Sequence, residues 1–315
     1  MPLELSRAGI AQLLGNLGPR PPSSLAEAQA AATIGAYLRQ VGMSVSVDPF
    51  QIPTFPRGLI FEALLALCTL LLTFWLPFPS LLLALWLLCF LLSQALPTLP
   101  FPVFGPARHS QNVIGIRPWA KAPPSSLSFF RLVVLAPLDS PPQPSLSAKA
   151  HAALTTLLTL PAELKLLPFV ELWTVALGAT TNTQRGLADL LTRYPFLKRQ
   201  TLFLVMENPS PSPLKKILSQ VFYWKNHSVS AQIAPLALEA SAKTSLKAIV
   251  PPSKDFSWLT LFLHRSGYAV LNLAPNYFWA DSAAETNSGL GQMTQVIRQL
   301  AHHLDAEAHR SLPDS

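Results

Sequence analysis

Side chains suited to metal or acid–base chemistry are scarce in this chain and mostly stand apart. Its 315 residues include 7 histidines and 16 acidic residues. Four isolated histidines fit surface or helix-cap positions better than ligand positions: His109, His151, His227 and His264. Three more share a predicted C-terminal helix with Asp305: His302, His303 and His309. Their spacing puts two imidazoles on one helix face, but the solvated end of a helix explains the pattern better than a metal site does.

The carboxylates also fit structural roles. Asp139 follows the apolar stretch 132–136, where its side chain would cap the next turn. Asp255, Asp281 and Glu207 stand at expected turns or helix caps. The sequence contains no Gly-x-Ser-x-Gly elbow, no phosphate-binding glycine loop and no His-Glu-x-x-His motif. The residues alone therefore indicate no catalytic centre.

Strand and helix patterns alternate along the chain, which predicts an α/β sandwich with a mainly parallel, mixed sheet between helices. Strands are predicted at residues 43–52, 112–116, 127–136, 169–177, 200–206 and 268–273. Helices are predicted at residues 2–17, 25–41, 151–166, 183–194, 256–266 and 289–309. The Pro- and Ser-rich residues 121–126 are predicted to form a turn. The continuous apolar stretch 132–136 is typical of a strand buried on both faces.

A long apolar stretch, residues 58–97, interrupts this alternation. Residues 59–76 carry one charge, Glu62, and residues 80–96 carry none; a Pro-Phe-Pro turn separates them. Each half approaches the roughly 20 apolar residues that a helix needs to cross a bilayer. The stretch therefore predicts a transmembrane helical hairpin inserted into the α/β domain. A buried hairpin of a soluble protein is the alternative, which the lack of a polar stripe disfavours.

Charge predicts the side of the membrane on which the α/β domain lies. Arginine or lysine flanks both ends of the hairpin, whereas its turn is uncharged. The positive-inside rule then places both flanks in the cytoplasm. The first residues also lack the pattern of a cleaved signal peptide. The formal net charge is +7, but the basic residues are scattered and form no nucleic-acid-binding stripe. We expect a lipid bilayer as partner and no nucleic acid.

Several short motifs resemble metallopeptidase family 28, the co-catalytic zinc aminopeptidases, which also include glutaminyl-cyclase-like members. The opening of that family is matched by Gly18-Pro-Arg-Pro, Ala26-Glu-Ala, Tyr37-Leu-Arg39 and Gly42. Later landmarks are matched by residues 112–114, 132–140, 178–194, 202–208 and 277–286. The resemblance implies a zinc-aminopeptidase-like fold. It divides that domain into an N-terminal helix-strand part (1–57) and a remainder (98–315), on either side of the hairpin (58–97).

The resemblance also implies a set of metal ligands, which this sequence keeps only in part. Such a site holds two zinc ions through two histidines and three carboxylates, with a further glutamate as general base. Pro137 stands where the first histidine belongs, and the aspartate two residues later is kept as Asp139. No carboxylate lies at residues 145–149 or 178–187, where the bridging aspartate and the paired glutamates belong.

Asp139 and Glu207 are the metal-binding remnants that the resemblance leaves. Glu207 matches the late carboxylate, and Tyr277 or Phe278 stands in place of the last histidine. Two carboxylates alone would hold zinc weakly, so we expect no cofactor. We predict a membrane-anchored, catalytically inactive aminopeptidase-like domain that binds a peptide or protein partner or acts as a scaffold. The alternative is an active metal-dependent aminopeptidase or hydrolase with a rearranged ligand set and zinc as cofactor.

Overall fold

The computed structural model describes residues 7–52, 108–121, 130–140, 144–164, 167–180, 184–206, 258–272 and 283–310. Its elements, in chain order, are α1 (Arg7–Asn16), α2 (Leu25–Gln40), β1 (Ser44–Ile52), β2 (Arg108–Arg117), β3 (Arg131–Pro137), α3 (Pro144–Glu163), β4 (Glu171–Leu177), α4 (Arg185–Arg193), β5 (Thr201–Val205), α5 (Trp258–Arg265), β6 (Ala269–Asn272) and α6 (Ala283–Arg310). A 3-10 turn, Pro195–Lys198, lies between α4 and β5.

The described strands form one mixed sheet in the order β1-β2-β4-β3-β5-β6. Strand β3 pairs in parallel with β4 and β5, and β5 pairs in parallel with β6, whereas β2 pairs antiparallel with β4. The predicted mixed sheet with helices is confirmed. A turn at residues 121–126 would favour pairing of β2 with β3, but β4 lies between them. The connection from β3 to β4 instead contains helix α3, as a parallel crossover requires.

Alternate side chains of the central strands pack into two cores on opposite faces of the sheet. Leu132 and Val134 join helices α1, α2, α3 and α6 on one face. Val133 and Leu135 join helices α4 and α5 on the other face. The alternation follows from the two-residue period of a strand. Because both faces are covered, residues 132–136 are all buried, which confirms the interpretation of this stretch.

Helix α3 begins at Pro144, earlier than the predicted start at residue 151. Residues 145–149, where the resemblance requires the bridging aspartate, therefore belong to the first turns of a helix. Pro161 lies inside the last turn of α3. There the Nη1 atom of Arg117 donates to the Pro161 carbonyl at 2.7 Å, and its Nη2 atom donates to the Leu164 carbonyl. These bonds satisfy carbonyl groups that a helix end leaves open.

The chain forms two compact units: Met1–Phe50 together with Ser110–Ser315, and Gln51–His109. No helix among the described residues combines the length and the apolar content that a membrane span needs. The predicted transmembrane hairpin, residues 58–97, lies outside the described residues, and so do Glu207, Tyr277 and Phe278. The predicted domain boundaries at residues 57 and 97 stay a prediction.

Candidate functional site

Parallel strands β3, β4 and β5 end at the same edge of the sheet, and the residues after β3 and β4 form the candidate site. Asp139 lies just after β3. The loop that contains Thr180 begins at Gly178, just after β4. The two segments are joined directly, because the Leu138 N–H donates to the Leu177 carbonyl at 2.7 Å. In open α/β sheets, ligands bind at this carboxyl edge.

Asp139 is 1% exposed, and the loop after β4 holds its carboxylate. The Oδ1 atom accepts a hydrogen bond from the Thr180 backbone N–H at 2.8 Å and another from the Thr180 hydroxyl at 2.7 Å. The preceding residue, Ala179, has a φ of +54°, in the left-handed region. That conformation costs a non-glycine residue about 1 kcal/mol or more. The two bonds to Asp139 help to hold it.

Arg20 is completely buried beside Asp139. Its backbone N–H donates to the Ser140 hydroxyl at 2.9 Å, and its Nε atom donates to the Leu138 carbonyl at 2.8 Å. Its Nη1 and Nη2 atoms have no hydrogen-bond partner in the part of the chain that the structure describes. Burial lowers the pKa of Arg20 to about 10, although the charges of Asp139 and Glu27 act in the opposite direction. The neighbouring carboxyl groups and the hydrogen bonds therefore do not fully offset the cost of burying the Arg20 guanidinium.

Glu27 brings a second buried carboxylate to the same loop, from the first turn of helix α2. Its Oε1 atom accepts from the Ser110 hydroxyl at 2.6 Å, and its Oε2 atom accepts from the Ser23 N–H at 2.6 Å. Burial raises the pKa of Glu27 to about 7, although these bonds and one from the Ala179 backbone lower it. Every oxygen of this carboxyl is thus engaged inside the protein.

His151 of helix α3 contacts the chain just before Arg20. Its Nε2 atom lies 3.4 Å from the Gly18 carbonyl. Burial lowers the pKa of His151 to about 4, and the Arg20 charge lowers it further. The imidazole is therefore neutral at physiological pH. Arg20, Asp139 and Glu27 thus bring one basic and two acidic side chains to this edge, and burial shifts the pKa values of Arg20 and Glu27 towards their neutral forms.

Gln184 lies directly before helix α4 and is 7% exposed. Neither its Oε1 nor its Nε2 atom has a hydrogen-bond partner within the described residues. A buried amide left in this way costs about 1–3 kcal/mol. Both polar atoms of the Gln184 side chain are thus enclosed and unsatisfied within the described residues, at the start of helix α4.

Solved structures with the same fold include two aminopeptidases and a glutaminyl cyclase. The zinc aminopeptidase BSAP from Bacillus subtilis shares 14% identity over 95% of this chain and 94% of its own, with a TM-score of 0.57. An aminopeptidase from Aneurinibacillus sp. strain AM-1 shares 12% identity over 96% and 94%, with a TM-score of 0.57. The glutaminyl cyclase of Fimbriiglobus ruber shares 12% identity over 96% of both chains, again with a TM-score of 0.57.

The fold is that of the zinc aminopeptidases and glutaminyl cyclases. Identities of this size show the fold and not the activity. No protein-family model matches the sequence, and no curated protein matches it either.

The described residues at the carboxyl edge do not fit a zinc site of the aminopeptidase kind. Zinc needs three or four nitrogen, sulfur or oxygen ligands that converge on one point. No group of three His, Cys, Asp or Glu side chains among the described residues is arranged to hold a metal. Pro137, at the end of β3, has no ligating group, and Asp139 is buried with Oδ1 bonded to Thr180. Glu207, the other predicted remnant, lies outside the described residues.

The remaining described histidines lie on three elements: β2, helix α5 and the terminal helix α6. His109 is exposed on β2, and His264 is buried on helix α5. On the terminal helix, Asp305 accepts a hydrogen bond from the Phe169 N–H at 2.9 Å, so its carboxylate holds the start of β4. The His309 ring packs edge-on against the Phe169 ring, with centroids 5.9 Å apart. His227 lies outside the described residues.

Sequence reasoning missed three buried groups of the candidate site: Arg20, Glu27 and Gln184. Arg20 and Glu27 lie in the Gly18-Pro-Arg-Pro and Ala26-Glu-Ala motifs that carried the resemblance. A charged residue inside such a motif was the available signal. The partner of Glu27, Ser110, and the neighbour of Arg20, Asp139, are both distant in the chain. Gln184 carried no signal, because only burial distinguishes it from a surface glutamine.

Proposed function

We propose that this protein is a membrane-anchored domain with the zinc-aminopeptidase fold that acts by binding or scaffolding at the membrane, without hydrolysis. The observation that carries the proposal is the burial and the hydrogen bonding of Asp139. The only aspartate kept from the ligand set is 1% exposed, with one oxygen bonded twice by Thr180. A zinc ligand must turn a lone pair towards an accessible metal position, and Oδ1 is already committed to the loop.

The second buried carboxylate does not replace the missing general base. A catalytic carboxylate must reach the reacting atoms within hydrogen-bond distance. Glu27 has a pKa near neutrality, which suits a proton-transfer role, but its side chain is buried and its oxygens are engaged by Ser110 and Ser23. The carboxylate therefore stabilises the loop after β4 and does not face a substrate.

A peptide or protein segment is the ligand that this edge suits best. Basic and acidic groups lie together at the edge, and both polar atoms of the buried Gln184 side chain lack partners among the described residues, so a ligand that opens the loop can pair with them. A peptide backbone presents the complementary donor and acceptor. The predicted hairpin at residues 58–97 would hold the domain at a bilayer, with its basic flanks on the cytoplasmic side. We expect no nucleic-acid partner.

Turnover assays on the full-length, detergent-purified protein test the proposal. Aminopeptidase and glutaminyl-cyclase substrates are offered with and without added zinc, to the wild type and to an Asp139→Asn variant. We expect no turnover above the buffer rate in any combination. Zinc-dependent turnover in the wild type that is lost in Asp139→Asn would overturn the proposal and assign an active hydrolase with a rearranged ligand set.

Membrane anchoring is tested by a separate experiment. Membranes that contain the full-length chain are washed with alkaline carbonate, which removes peripheral proteins. We expect the chain to stay in the membrane fraction, and a variant lacking residues 58–97 to leave it. Release of the wild-type chain would contradict the anchor without affecting the assay of turnover.

A further inference from the structure

The carboxyl group of Glu27 joins the start of its own helix to two segments that are distant in the chain. The Ser23 N–H, in the turn before α2, donates to the Oε2 atom at 2.6 Å, and the Ser110 hydroxyl of β2 donates to the Oε1 atom at 2.6 Å. The Ala179 backbone N–H donates to the same carboxyl group from the loop after β4. Glu27 is 2% exposed, so water does not compete for these bonds.

The bond to Ala179 opens at a lower cost than the bonds to Ser23 and Ser110. Ser23 moves with Glu27, because the Glu27 N–H donates to the Ser24 hydroxyl at 3.1 Å and ties both residues to the start of α2. Ser110 belongs to a strand of the sheet. Ala179 lies in a loop and has a φ of +54°, a left-handed conformation that an alanine leaves with a gain in free energy.

Residues 178–180, which we call the latch, lie directly against Glu27. A Cβ atom on Gly178 would come within 3.0 Å of the Glu27 Oε1 atom. The Gly178 N–H donates to the Asn112 Oδ1 atom at 3.1 Å, which fixes the first residue of the latch to β2. At its other end, Thr180 holds Asp139 through two hydrogen bonds. When Ala179 leaves Glu27, the bonds of Thr180 to Asp139 must rearrange as well.

Two charged groups of the described chain act on Glu27: Arg20, from the segment before α2, and Asp139, from the end of β3. Strand β2 and the latch contribute only uncharged donors, and His151 of α3, which is neutral at physiological pH, acts on Arg20. Arg20 favours an ionised Glu27, but burial outweighs it and raises the pKa of Glu27 to about 7. Ionisation is therefore costly while the latch is closed, and water that enters on opening relieves the cost.

We propose that residues 178–180 are a latch at the carboxyl edge, which the Glu27 carboxyl group holds shut while it carries its proton and releases when it loses that proton. Release lets Ala179 leave its left-handed conformation and frees Thr180 from Asp139. The carboxyl edge then opens as pH rises. The proposal rests on the function proposed above only in taking this edge as the place where a ligand binds.

Amide hydrogen exchange of the full-length protein at about pH 6 and about pH 8 tests the latch. After correction for the ordinary pH dependence of exchange, we expect the rate at Thr180 to rise by up to about tenfold, because opening returns the pKa of Glu27 from about 7 towards its ordinary 4.5. Glu27→Gln keeps the shape but cannot ionise, so it should remove the rise. Glu171→Gln is the matched control, because Glu171 pairs with Arg131 at the other end of β4, and it should keep the rise.

Urea and a second variant separate the latch from global unfolding. Exchange at Val134, in the core of β3, should rise steeply with small amounts of urea, whereas exchange at Thr180 should not, since a local opening exposes little surface. Ala179→Gly removes the strain of the left-handed conformation and should slow exchange at Thr180 about fivefold. Equal urea dependence at Thr180 and Val134, or a rise with pH that persists in Glu27→Gln, would overturn the latch. The assay needs neither ligand nor zinc, so its outcome is independent of the turnover test.

Discussion

Thr180 donates both its backbone N–H and its hydroxyl to one carboxylate oxygen of Asp139, at 2.8 Å and 2.7 Å. These two hydrogen bonds join the loop after β4 to the end of the neighbouring strand β3. They give Asp139 a structural role in the sheet. The residue that resembles a metal ligand by position is thus a buried clamp between β3 and β4.

Removing the Thr180 hydroxyl should destabilise the domain. Thr180→Val keeps the shape and the backbone bond but deletes one hydrogen bond to the buried Asp139 side chain, and leaving a buried polar group without that partner costs about 1–3 kcal/mol. Denaturant unfolding of the full-length protein measures the loss. Thr192→Val is the control, because Thr192 is exposed and its hydroxyl bonds only its own helix, at Ala188. Equal losses in the two variants would contradict the clamp.

Adding one methyl group at Gly178 should be strongly destabilising. A Cβ atom there would overlap the Ser110 hydroxyl and lie 3.0 Å from the Glu27 Oε1 atom. Overpacking of this kind costs about 1–3 kcal/mol or more. Gly15→Ala makes the same change in helix α1, where nothing lies within 4 Å of the new atom. That control should stabilise by up to about 1 kcal/mol, so thermal unfolding should move in opposite directions for the two variants.

Glu27 should make stability fall as pH rises. Its pKa is about 7 in the folded protein against an ordinary value of 4.5, so between these values the unfolded chain releases a proton that the folded chain keeps. The contribution is complete below pH 4.5 and is lost as pH rises through 7, by at most about 1.4 kcal/mol per pH unit. Glu27→Gln should remove this slope. Glu171→Gln, which deletes a carboxyl paired with Arg131, should leave it unchanged.

His151 should give a slope of the opposite sign. Its pKa is about 4 in the folded protein against an ordinary 6.5, so the unfolded chain holds the extra proton between these values. Stability from the neutral imidazole is complete above pH 6.5 and is lost as pH falls to 4. The two slopes offset each other between pH 4.5 and 6.5. Glu27→Gln should expose a rise of stability with pH and His151→Gln a fall; parallel curves would contradict both assignments.

The sequence was sufficient to predict the layers of the fold, because the central strands are apolar on both faces and the helices alternate with them. Residues 132–136 were recognised as a buried strand from composition alone. The order of the strands in the sheet was harder to predict from the sequence. The insertion of β4 between β2 and β3 depends on the crossover through α3, and a local pattern at residues 121–126 carries no information about it.

The candidate site was predicted only in its outline. Asp139 was found because the family resemblance places a metal-binding aspartate there, but its partner Thr180 lies in a loop 41 residues away in sequence. Arg20 and Glu27 come from the N-terminal part of the chain, and only the fold brings them to the same edge. Their shifted pKa values result from burial, which a sequence does not display.

Zinc content per chain tests the central claim most directly. The full-length protein is purified in detergent, dialysed against buffer with micromolar zinc and measured by elemental analysis, beside an Asp139→Ala, Glu207→Ala double variant. We expect both proteins to retain well below one zinc per chain. Close to one or two zinc ions per wild-type chain, lost in the double variant, would contradict it and make the carboxyl edge a metal centre.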